Sequence, residues 1–162
     1  MENDNSCIMT GKFVGEKMYI LEYSVGKFTA DVLHDKIIYH IRKRSPEKVG
    51  IEAYQAQSMI LTFLKQELQR LGIHANIEEI KQTGDKLSKI RKLIPLYRDG
   101  LIYHKRDMDE LEAELKRFPR GKHDDIIDAE QMLYDLYTLQ PNSVQQQVIN
   151  LQHDERGQPF IA

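Results

Sequence analysis

The first two apolar runs of the chain are short and rich in branched and aromatic residues. They are Ser6 to Val14 (SCIMTGKFV) and Lys17 to Val25 (KMYILEYSV). The Gly15-Glu16 connection between them predicts an antiparallel hairpin. From Ala30 to Arg44 the period changes. Val32, Leu33, Ile37, Tyr39 and Ile41 fit a helix with a basic last turn before Ser45-Pro46. Lys48 to Ala53 is a short strand with Glu52 near its C-terminal end. Gln55 to Leu71 is amphipathic, with Met59, Leu61, Phe63, Leu64, Leu68 and Leu71 as its stripe and Gly72 as its stop. His74 to Ile80 reads as another strand. Asp85 to Tyr97 reads as one helix on the spacing of Leu87, Ile90, Leu93, Ile94 and Tyr97, with Pro95 weakening its last turn. Leu101 to His104 is a short strand. Met108 to Phe118 is a charged helix with Leu111 and Leu115 inward, and His123 to Leu139 is a final core helix. From Gln140 onward Gln and Asn dominate, and a partly ordered tail is expected.

This order predicts a mixed α/β layout, with an antiparallel start and parallel crossovers after it. No repeat and no linker divides the chain. One domain over 1–139 and a polar, Gln-rich tail over 140–162 are expected.

The chain has 162 residues, enough to bury a core of its own. No run of about 18 apolar residues occurs, so no membrane span or membrane partner is expected. The start, MENDNSCIMTGK, is polar and unlike a secretory signal. A single cysteine, Cys7, excludes an internal disulfide framework. The 6 histidines show no zinc-ligand spacing. Net charge is −2, but its distribution is uneven. Residues 81–122 hold 12 Lys and Arg against 7 acids, which is +5 and leaves −7 to the rest. That excess fits either a solvated face or a surface for phosphates.

The densest chemistry is GKHDDIIDA, residues 121–129. Asp125 and Asp128 are three apart and Asp124 and Asp128 four apart, so each pair shares a helix face. Acids in a first helical turn also serve as plain caps and suit the macrodipole. Glu52 stands at the end of a strand in VGIEAY, where open α/β sheets place ligand groups. A solvated strand end is its bland alternative. Together these carboxylates suggest hard oxygen ligands for Mg²⁺ or Mn²⁺. Two such ions about 3.5–4 Å apart can activate a water and stabilise the leaving oxygen of a phosphodiester. Lys86, Lys89, Arg91 and Lys92 crowd one helix and could hold the phosphate backbone.

Four ordered stretches carry a family resemblance: VGIEAYQAQ (49–57), KLSKIRKLIPLYRDGLIYH (86–104), DMDELEAELKRFP (107–119) and GKHDDIIDAEQML (121–133). The hairpin TGKFVGEKMYILEY (10–23) fits the strand pair before them. The chain resembles the C-terminal nuclease domain of the large terminase subunit of tailed phages. That resemblance implies a ribonuclease-H-like mixed sheet flanked by helices. It also implies a metal-dependent DNA endonuclease that cuts viral or prophage DNA during packaging. Glu52 matches the family's second-strand acid, and Asp125 and Asp128 match the late acidic pair, with Asp124 adjacent. Their implied role is to ligate two Mg²⁺ or Mn²⁺ ions. Lys122 and His123 flank them and, with Lys86, Lys89 and Arg91, are candidates for DNA contact. The implied partners are double-stranded DNA, the terminase ATPase domain, the small terminase subunit and the portal. The implied location is the cytoplasm of a bacterial host.

The family's first catalytic Asp lies on a strand upstream of the segment matching residues 3–6. The chain is therefore expected to begin inside the nuclease domain, and weak or no cleavage is expected from it alone. No G-x-x-x-x-G-K-[ST] motif of an ATPase occurs. Two alternatives stand beside this reading: a catalytically inactive fragment that binds DNA or docks the motor, and a resolvase- or transposase-like nuclease of the same fold.

Overall fold

The computed structural model describes residues 5–52, 57–80, 85–121, 123–138 and 160–161. Residues 53–56, Lys122 and most of the expected tail lie outside them. The chain forms two compact units, one from residues 1–8 and 24–84, the other from 9–23 and 85–162.

In the first unit, α1 (Ala30–Arg44) is followed by β3 (Val49–Glu52), α2 (Gln57–Arg70) and β4 (Ile77–Ile80). β3 and β4 pair in parallel, with Val49 opposite Ile77 and Glu52 opposite Ile80. A parallel pair needs a crossover, and α2 supplies it. Ile37, Ile38 and Ile41 of α1 pack with Leu64 and Leu68 of α2, and Val49, Ile51 and Ile77 join them. Val49 and Ile51 therefore share the core face of β3. Strand alternation turns Glu52, the last residue of β3, to the opposite face. α1 ends at Ser45, which takes the left-handed conformation and donates its N–H to the Ile41 carbonyl. Gly72, at φ +66°, closes α2, and Ile73 N–H reaches back to Leu68 O at 2.9 Å.

The apolar stripes differ from expectation in detail. Val32 and Tyr39 of α1 and Phe63 of α2 are exposed, while Ile38 and His40 are buried. His40 is accommodated by Ser24, whose Oγ lies 3.0 Å from its Nε2.

β1 (Ser6–Val14) and β2 (Lys17–Gly26) are neighbours in the sheet, and residues 9–23 of this hairpin belong to the second unit. Their link is two residues long, with Gly15 at φ +61°, and a link so short joins antiparallel strands. β5 (Ile102–Lys105) pairs in parallel with β2, Met18 opposite Ile102. β6 (Phe160–Ile161), from within the expected tail, pairs antiparallel with β5. The mixed sheet order is β1-β2-β5-β6.

Between β2 and β5 the single helix expected over Asp85–Tyr97 is two helices, α3 (Lys86–Arg91) and α4 (Leu93–Arg98), divided at Lys92. The break precedes Pro95 rather than following it. Pro95 thereby sits in the first turn of α4, where a missing N–H costs nothing. Ile90 and Leu93 face inward, while Leu87 and Ile94, expected to do so, are exposed. α5 (Asp109–Arg117) and α6 (Asp125–Thr138) complete the unit.

The hairpin holds the C-terminal half of α6. Phe13 stacks on Tyr137 with ring centroids 3.7 Å apart, and the Tyr137 hydroxyl donates to the Gly15 carbonyl. A Cβ on Gly11 would stand 2.5 Å from Leu133 Cδ2 and 3.2 Å from the Tyr19 carbonyl oxygen. Gly11 thus permits the close approach of α6 to the strand.

Candidate functional site

α6 begins with the acids that the sequence singles out. The first helical bond runs from Asp128 N–H to the Asp124 carbonyl at 2.9 Å. The donors just before it, Ile126 N–H and Ile127 N–H, both reach Glu114 Oε2 of α5, at 2.9 and 3.1 Å. Glu114 therefore caps α6 from another helix. Its own pKa is raised, chiefly by burial and further by the Asp125 and Asp124 charges, while the two N–H donors oppose the rise.

With that work done by Glu114, Asp124 has a different partner. Lys86, the first residue of α3, places its Nζ 3.1 Å from Asp124 Oδ1 and 3.2 Å from Asp128 Oδ2. Burial lowers the Lys86 ammonium, but the two carboxylates outweigh it and hold its pKa above the ordinary lysine value. The other oxygen of Asp128, Oδ1, is buried and has no hydrogen-bond partner. An acid pair gathered on one cation, with an orphaned carboxylate oxygen beside it, is a fit for a hard divalent ion. All the donors are oxygen, the set that Mg²⁺ and Mn²⁺ take. Among the described residues no three His, Cys, Asp or Glu side chains form a complete metal-holding group.

The structure thus joins Asp124, Asp128 and Lys86, all from the second unit. Lys86, a candidate for DNA contact in the sequence, pairs with the two acids. Asp125 shares the helix start, and its Oδ2 lies 3.9 Å from Nδ1 of the exposed His123. Arg91 is exposed on α3, Lys89 is partly buried there, and Lys122 lies outside the described residues. Glu52 belongs to the first unit, partly buried at the C-terminal end of β3.

Two groups escape the sequence reading. Glu130 and Gln131 of α6 are almost wholly buried. Burial pushes the Glu130 carboxyl up to about 8, opposed by the facing Tyr97 hydroxyl. The Tyr97 hydroxyl of α4 faces it, and burial with the Glu130 carboxylate keeps that hydroxyl protonated. Glu114 is the second omission. Its contact spans 12 residues of sequence and leaves no local signature.

The family model of the terminase RNaseH-like domain matches residues 2–136. The chain belongs to that family. Its α/β architecture, with a mixed sheet and flanking helices, is ribonuclease-H-like. A terminase RNaseH-like domain is a nuclease-type domain. Comparison with curated proteins gives no match.

Proposed function

We propose that this terminase domain is a metal-dependent DNA endonuclease and that Asp124, Asp125 and Asp128 form the α6 side of its metal site. The observation that carries this reading is the capture of one cation by Asp124 and Asp128, beside the orphaned Asp128 Oδ1. Glu52 is proposed as a further acid, on its strand-end position turned from the apolar face. A bound divalent ion supplies Lewis-acid stabilisation of the phosphate and lowers the pKa of a water; two of them can serve both the attacking and leaving oxygens.

The chain's own residues prepare the site. Glu114 fixes the first turn of α6, so the carboxylates project from a pinned helix start. Lys89 and Arg91 of α3, with Lys122, supply positive charge for the phosphate backbone of double-stranded DNA, and His123 is a further candidate contact. The packaging role implies the ATPase domain, the small terminase subunit and the portal as partners, in the cytoplasm of a bacterial host. Among the described residues no helix is long and apolar enough to cross a membrane.

A plasmid-nicking assay with Mn²⁺ tests the reading. Any cleavage should require Mn²⁺, disappear with a chelator, and be lost in Asp128→Asn and Glu52→Ala. Cleavage that survives both substitutions would sink it. A folded chain that binds DNA and never cuts would favour the inactive docking module instead.

A further inference from the structure

Lys86 is an unusual occupant for a cluster of acids meant for metal. It opens α3, and that helix start is fixed by Asp85, whose Oδ2 accepts from Ser88 N–H at 2.9 Å and from the Ser88 hydroxyl at 2.7 Å. The anchored start aims one ammonium at two carboxylates four residues apart, one just before α6 and one in its first turn. Like charges at that spacing repel, and a single cation between them removes the repulsion. The oxygens engaged are Asp124 Oδ1 and Asp128 Oδ2, so a divalent ion bridging the two carboxylates there would have to displace the ammonium. Lys86 is 47% exposed at its side chain, so its head can swing to solvent on a flexible stem.

We infer that Lys86 is the resident counter-cation of the Asp124–Asp128 pair and that a divalent ion loads by displacing it. The inference rests on the metal-site reading above. It adds that the chain carries its own competitor, which sets the threshold of metal occupancy. Partly exposed ion pairs are weak, so the competitor is displaceable rather than a permanent block.

The test is calorimetric titration of the full chain with MnCl₂, on the unaltered chain, Lys86→Met, Lys86→Arg and Lys116→Met. Lys116 pairs with Glu112 on α5 and controls for a general loss of positive charge. Thermal melts establish that each variant folds, and Lys86→Gln reads the same quantity if the Met variant does not. Lys86→Met should bind Mn²⁺ roughly three- to thirty-fold more tightly, with Lys86→Arg and Lys116→Met near the unaltered chain. If the unaltered chain binds Mn²⁺ and Lys86→Met binds no better, the competitor role is wrong and the metal site stands. Equal tightening in Lys116→Met would also overturn it, as a bulk charge effect. If no variant binds Mn²⁺, the metal-site reading fails and takes this inference with it.

Discussion

Glu114 Oε2 accepts the backbone N–H of Ile126 at 2.9 Å, joining the middle of α5 to the start of α6. The same oxygen takes Ile127 N–H, so one carboxylate satisfies two donors of the helix start. Replacing it with alanine orphans both. Glu114→Ala should therefore lower stability by about 1–2 kcal/mol, as loss of a helix cap does. Glu114→Gln keeps an acceptor oxygen and should lose less. Urea denaturation of the three proteins checks the order.

Glu130 links stability to pH. Its folded pKa of about 8 lies above the ordinary 4.5, because burial disfavours the charge. The folded chain thus keeps a proton that the unfolded chain releases. This contribution is complete below about 4.5 and is lost as pH rises towards about 8. Stability should fall across that window with a slope of up to about 1.4 kcal/mol per pH unit. Glu130→Gln, which cannot ionise, should flatten the profile and gain stability relative to the unaltered chain at pH 8. Chemical denaturation of both proteins at pH 5 and pH 8 reads the difference. Parallel profiles would contradict it.

Gly11 is a spacer between the hairpin and α6. A methyl there meets Leu133 Cδ2 at 2.5 Å and the Tyr19 carbonyl oxygen at 3.2 Å. Leucine can shift, but the backbone carbonyl gives less. Gly11→Ala should cost about 1–3 kcal/mol as an overpacked site. Thermal melts measure it, and an unchanged midpoint would show that the strand and helix separate without cost.

The elements most legible in the sequence are those with local signals at both ends. α1 spans Ala30–Arg44 as its spacing and its Ser45-Pro46 stop predict. The β3–α2–β4 crossover follows from two short apolar runs and Gly72. The division of α3 from α4 is not legible where one helix is expected, because a proline marks disruption without saying which side of it breaks. Here the following turn accepts Pro95 and the bend falls at Lys92. Which apolar residue faces inward was less legible still. Tyr39, Phe63 and Ile94 are exposed because packing partners, not hydrophobicity alone, choose the buried face.

At the candidate site the acids themselves were legible, and their partners were not. Asp124 and Asp128 stand out by spacing on one helix face. Lys86 lies 38 residues from Asp124, and only the packing of α3 on α6 brings the two together. The same holds for Glu114, which takes the capping work that a local reading assigns to the aspartates. Glu130 was invisible because a buried Glu in an amphipathic helix looks like any solvated one until its neighbours are placed.

The central claim is that the start of α6 binds divalent metal. Paramagnetic broadening of amide NMR signals by substoichiometric Mn²⁺ tests it at residue resolution. The claim predicts early loss of the Asp124 to Asp128 amides and of Lys86, and no such loss in Asp128→Asn. Broadening that is diffuse, centred elsewhere, or unchanged in Asp128→Asn would contradict it.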